Sequence, residues 1–182
     1  MISLNKLKSY LELARVDKPI GIYLLLWPSL LGLLIAGTIN EIKTIDLLIV
    51  VIGSILVRSC GCVINDISDY KIDKLVSRTV GRPLATGALS VYEAWVFFIF
   101  LGLMSLSLLL FTNPLTIKVG IFFGIFIIVY PLTKRFFKAP QFFLGITFGS
   151  GSLISYSLVT SSPSLSIVIL YIGLIAWIIS FD

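Results

Sequence analysis

Six apolar runs fill most of this chain, at about 19–37, 45–64, 94–111, 117–131, 140–160 and 165–181, and they leave it one environment in which to fold. Backbone N–H and C=O groups held in hydrocarbon find no water, so each run must satisfy its own hydrogen bonds as a helix. A helix of about 20 residues crosses the bilayer core, which matches the length of these runs. Of 182 residues, 58% are hydrophobic and only 13% charged, and the mean hydropathy is +1.07. A soluble domain carries about a quarter charged residues. The expected fold is therefore all-α: one polytopic membrane helical bundle over residues 1–182, with about six transmembrane helices.

The cations sort by loop. Lys6, Lys8, Arg15 and Lys18 precede the first run; Lys71, Lys74, Arg78 and Arg82 follow the second; Lys134, Arg135 and Lys138 follow the fourth. The alternate loops hold Lys43, Lys118 and no cation. By the positive-inside rule, the amino terminus and the segment after the second run face the cytoplasm. The net charge of +5 then belongs to membrane topology, and no nucleic-acid partner is expected. The first 18 residues read as a basic amphipathic helix at the lipid interface, with Leu4, Leu7, Leu11 and Val16 on its apolar side. There is no His, which excludes His general bases and His-ligated haem or metal. Cys60 and Cys62 read as small packing residues.

Against this apolar background, residues 65–87 form a polar island. Asp66, Asp69 and Asp73 are three of the nine acidic residues, placed within eight positions. On a helix, Asn65, Asp69 and Asp73 fall at i, i+4 and i+8 and are read as one stripe, with Asp66 toward an adjacent face. Carboxylates so close repel unless a cation joins them. Oxygen ligands alone suit Mg²⁺ or Ca²⁺, and Mg²⁺ commonly bridges one or two carboxylates to a phosphate. Lys71, Lys74, Arg78 and Arg82 follow as phosphate-binding cations. This reads as a metal-bridged diphosphate site. Two alternatives stand beside it: a solvated mixed-charge loop, and the acidic cation site of a transporter or channel subunit. The crowd of positive charges around the acids opposes the second.

Arg58 lies inside the second run, two helical turns before Asn65. A charge within a span is costly, so it faces a cavity or a partner, or else snorkels to the interface. Gly145, Gly149 and Gly151 in the fifth run read as close-packing positions between helices.

The segment Gly61-Cys62-Val63-Ile64-Asn65-Asp66-Ile67-Ser68-Asp69, continued by Arg78-Thr79 and Arg82-Pro83-Leu84-Ala85, resembles the first signature of the UbiA superfamily of intramembrane prenyltransferases. Residues 15–21, the Leu26-Trp27-Pro28 that follows, and the segment from Tyr130-Pro131 to Leu144-Gly145 resemble its 4-hydroxybenzoate polyprenyltransferase subgroup. The resemblance implies a bundle of typically nine spans around a cavity open to lipid. It implies Mg²⁺ as cofactor, a polyprenyl diphosphate donor, an aromatic acceptor such as 4-hydroxybenzoate, the lipid bilayer as surroundings and a role in ubiquinone biosynthesis. Another acceptor within the superfamily, haem or another quinone precursor, stays open.

Carried over by position, Asn65, Asp66, Asp69 and Asp73 are the metal residues; Asp69, Asp73 and Arg82 are catalytic. Arg58, Asn65, Arg78, Arg82, Lys134 and Arg135 bind substrate. The implied location is a bacterial cytoplasmic membrane, in preference to a mitochondrial inner membrane. Tyr70 stands where the subgroup often has Arg. The chain stops at Asp182, where the family's second Asp-rich motif would begin. The expectation is thus an incomplete domain lacking that motif and three spans, with impaired activity on its own.

Overall fold

The structure, a computed structural model, describes residues 4–133 and 140–181. The described elements are helices: α1 (Leu4–Leu13), α2 (Ile20–Gly37), α3 (Thr44–Asp73), the short α4 (Pro83–Thr86), α5 (Val91–Leu109), α6 (Pro114–Thr133), α7 (Pro140–Val159) and α8 (Leu165–Phe181). Four of them, α2, α3, α5 and the Gln141–Val159 part of α7, are long and apolar enough to cross a membrane; Pro114–Tyr130 and Leu165–Ser180 are shorter apolar helices. Large apolar side chains cover the outside, Trp27, Leu34, Phe100 and Ile169 among them. In water such a surface would aggregate, whereas in lipid it is the expected exterior. The chain is a polytopic membrane protein.

Local chemistry sets the helix ends. Asp46 accepts the Lys43 N–H at 2.8 Å, and Ser90 and Glu93 cap α5 reciprocally, at 3.2 and 2.9 Å. Asn113 Oδ1 accepts from the Leu115 and Thr116 amides to start α6, while its Nδ2 donates to Ser157 O at 2.7 Å and so ties α6 to the end of α7. α1 is fixed to α5 by the Lys6–Glu93 ion pair, whose hydrogen bond raises the Lys6 ammonium above its ordinary pKa. Tyr10 packs edge-on against Phe97.

Two packing zones hold the bundle. One joins α1, α3, α4 and α5 through Leu13, Leu56, Val63, Ile67, Leu84 and Ala94. The other is the seam of α2, α7 and α8, built on small residues. A Cβ on Gly32 would overlap the Ser152 backbone, and one on Gly151 would meet Ser29 Oγ. Ser155 Oγ donates to Ser29 O at 2.6 Å across the same seam. Gly145 and Gly149 face α8, where an added Cβ would lie 3.2 Å from Ile175 and 3.1 Å from Tyr171. All three glycines of α7 singled out in the sequence thus sit at helix contacts, as close approach between spans requires.

Candidate functional site

Helix α3 is the spine of the site. It runs past the end of its apolar run at residue 64 and continues unbroken to Asp73, so the acidic residues do lie on a helix. The extra turns carry the acidic residues out of the apolar zone on a rigid rod. Beyond Asp73 the chain turns back, and buried Thr79 donates to Asp73 O at 3.0 Å to fix the return. Arg82 precedes Pro83, and a residue before proline is confined to extended backbone; its φ and ψ are −66° and 146°. Pro83 then opens α4, and Gly87, at φ 79°, closes it in the left-handed region that glycine tolerates.

This return brings Arg82 onto α3. Its Nη1 donates to Asp73 Oδ2 at 2.7 Å and to Asp66 Oδ1 at 3.1 Å. The stripe inferred from spacing needs correction here. Steps of four drift about 80° from i to i+8, whereas i and i+7 return to within about 20° of one another. Asp66 and Asp73 therefore face the same guanidinium, and Asp66 is not on a side face. Asp69 is partly buried and lies outside the cavity lining, while Asn65 lines it. Arg78 is exposed on the return loop. Lys134 and Arg135 lie outside the described residues.

Asp66 is 1% exposed and has a second partner. Arg15 Nη2 donates to its Oδ1 and Oδ2 at 3.1 and 3.4 Å. The sequence reading did not place Arg15 in the site. Its backbone explains how it gets there. The Arg15 amide bonds to Glu12 O and the Val16 amide to Leu11 O, both at 3.1 Å. That is a Schellman closure of α1 with Arg15 at the left-handed position, φ 57°. Glycine is the usual occupant, and a side chain there costs about 1–2 kcal/mol. The strained arginine lands on the buried carboxylate.

Arg15, Asp66 and Arg82 line a cavity of about 760 Å³. Arg15, Asn65, Asp66 and Arg82 line one end, and Thr112 and Thr116 the other. Between them the wall is mainly apolar, with Leu103, Leu106, Ile121 and Ile154. Arg58 also lines it, half-buried, with its Cζ 5.4 Å from the centre of the Phe148 ring.

The family model described as UbiA prenyltransferase family matches residues 25–182. The chain belongs to that family. It is 40% identical over 179 residues to the 4-hydroxybenzoate octaprenyltransferase of Shewanella loihica, covering 98% of this chain and 62% of that protein. With the enzyme of the same name from Saccharophagus degradans it shares 41% over 177 residues, 97% of this chain and 58% of the relative. The chain thus spans about three fifths of the length of these curated relatives. A solved structure from work on digeranylgeranylglyceryl phosphate synthase in membranes superposes with a TM-score of 0.80 at 29% identity, over 97% of this chain and 61% of that one. A UbiA homolog from Archaeoglobus fulgidus bound to DMAPP and Mg²⁺ shares the fold, with a TM-score of 0.78 at 20% identity over 95% and 61%.

Among the described residues, no three of His, Cys, Asp and Glu stand together as a metal cluster. Two carboxylates do converge on one atom, Arg82 Nη1. A pair of carboxylates with water and phosphate oxygens completing the shell is a donor set that suits Mg²⁺. Asp66 and Asp73 would be the residues to hold such an ion.

Proposed function

We propose that this UbiA family chain carries the donor site and acceptor cavity of a Mg²⁺-dependent prenyltransferase, moving a polyprenyl group from polyprenyl diphosphate to 4-hydroxybenzoate in ubiquinone biosynthesis. The observation that carries the reading is the charged end of an apolar cavity: Arg15, Asp66 and Arg82 in its lining, Asp73 paired with Arg82, and an apolar wall beyond them. That arrangement suits a ligand with a multiply charged head and a hydrocarbon tail. The curated relatives' names and the Mg²⁺- and DMAPP-bound family structure support it.

The chemistry follows from the residues. Arg82, with Arg78 of the return loop and with Lys134 and Arg135, binds the diphosphate and offsets the charge that grows on its bridging oxygen as the carbon–oxygen bond breaks. Mg²⁺ on Asp66 and Asp73, with Asn65 and Asp69 beside them, would supply further charge compensation when bound. The prenyl carbon becomes cationic, the ring carbon beside the phenol supplies the electron pair for the new carbon–carbon bond, and that ring carbon releases its proton. The apolar wall keeps water from capturing the cation. Arg58, deeper in the cavity, is the cation for the acceptor's carboxylate, which favours an acidic ring over a neutral one.

Six crossings fit the apolar helices, since about 17 residues is the lower bound for a span. The loop charges set the charged end toward the cytoplasm, in a bacterial cytoplasmic membrane. The test is polyprenyl transfer to labelled 4-hydroxybenzoate by the protein in membranes. Product that appears with Mg²⁺ and disappears with EDTA is expected. Absence of both product and Mg²⁺-dependent prenyl diphosphate binding would overturn the proposal.

A further inference from the structure

Gly21 and Phe148 come from different helices and carry no polar side-chain atom, yet both press on the same guanidinium. A Cβ on Gly21 would lie 2.6 Å from Arg58 Nη2 and 2.9 Å from its Cζ, and would also collide with Nε. From α7, the Phe148 ring offers its π face to the same group. Arg58 Nε is buried and has no hydrogen-bond partner. Gly21 lies in the first turn of α2 with an ordinary helical backbone, where alanine is the better helix former. The reason for glycine is therefore space: only a residue without a side chain lets the guanidinium rest on α2.

We propose that Gly21 and Phe148 are positioning residues that seat the Arg58 guanidinium as the anchor for the carboxylate of a small aromatic acceptor. This rests on the acceptor reading above and specifies how the anchor is held. A cation of this kind needs two properties. It must stay charged and in place with no carboxylate of the protein beside it, since a protein carboxylate would compete with the acceptor's. The Phe148 ring face supplies the attraction. It must also be ordered before the acceptor arrives, so that little side-chain freedom is lost on binding. The α2 backbone at Gly21 supplies that confinement, along the Nε–Nη2 edge of the guanidinium.

The seat predicts a specific pattern of coupling. Gly21→Ala should spare the fold, because the group it displaces is the end of a flexible side chain. It should weaken 4-hydroxybenzoate binding, measured by calorimetry on the purified protein in nanodiscs, about tenfold, the loss of a charge-assisted fork. Binding of geranyl diphosphate with Mg²⁺ should change by less than about twofold, since sites without a shared partner act independently.

Arg58→Lys should weaken 4-hydroxybenzoate binding by itself. On that background Gly21→Ala should add nothing, because no guanidinium remains to be displaced. An equal effect of Gly21→Ala in both backgrounds would show that Gly21 only packs α2, and would overturn the seat. Phe148→Leu, which keeps an apolar side chain and loses the π face, should weaken 4-hydroxybenzoate about threefold. If Gly21→Ala does not fold, Phe148→Leu decides, and unchanged affinity there overturns the seat. Unchanged 4-hydroxybenzoate affinity in Arg58→Gln overturns the acceptor reading itself.

Discussion

Arg82 and Arg58 line one cavity from opposite kinds of surroundings. Arg82 touches two carboxylates, and a third cation, Arg15, shares one of them. Arg58 comes from α3 two turns before Asp66 and has an aromatic ring and a backbone for company; among the described residues no carboxylate pairs with it. The difference separates two tasks. A compensated cluster can exchange its internal pairs for a ligand that brings both signs, a metal with a diphosphate. An uncompensated cation is suited to a ligand that brings one negative charge. Arg58, Asp66 and Asp73 all stand on the one rigid helix α3, so under the proposed function the two substrates would be held in a fixed relation.

The largest effect is expected at Asp66. Asp66→Asn removes the charge shared by two guanidinium groups in a buried place. Breaking such a network costs about 3–5 kcal/mol, so thermal unfolding should fall by several degrees, and Mg²⁺-dependent transfer should drop at least about a hundredfold. A variant with unchanged melting and activity would put Asp66 outside the site. Arg82→Lys is the next step down. Charge survives and the planar fork is lost, so KM for the prenyl diphosphate should rise about tenfold with KM for 4-hydroxybenzoate unchanged. If both KM values rise together, the two regions are not separate.

Arg15→Gly should give the smallest effect, because two changes oppose. Glycine relieves about 1–2 kcal/mol of left-handed strain. Loss of charge-assisted hydrogen bonds to Asp66 costs about 1.5–3 kcal/mol. The net expectation is a slight destabilisation by denaturant or heat. A clear rise in stability would mean that the Arg15 contact does not offset its own strain.

The membrane class and the polar island were legible because they rest on hydropathy and charge, which composition and position display directly. The face shared by Asp66 and Asp73 was not legible. Choosing i, i+4, i+8 over i, i+7 depends on where α3 ends and on which residue returns to meet it, and only the Thr79–Arg82–Pro83 turn settles that. Arg15 was hidden for a similar reason. Nothing in its residue type signals a left-handed helix terminus, where glycine is the usual marker. Gly21 stood in a recognised segment, but its purpose appears only when Arg58, 37 positions later, is seen against it.

Under the proposed function, Asp66 and Asp73 hold a divalent cation together with a prenyl diphosphate. Mn²⁺ stands in for Mg²⁺ and reports its bound fraction by electron paramagnetic resonance. The protein in nanodiscs should take up Mn²⁺ weakly alone and strongly when geranyl diphosphate is added, and Mg²⁺ should compete it off. In the Asp66→Asn, Asp73→Asn double variant the diphosphate-dependent uptake should disappear. The same uptake in the wild type and the double variant would remove Asp66 and Asp73 from the metal site.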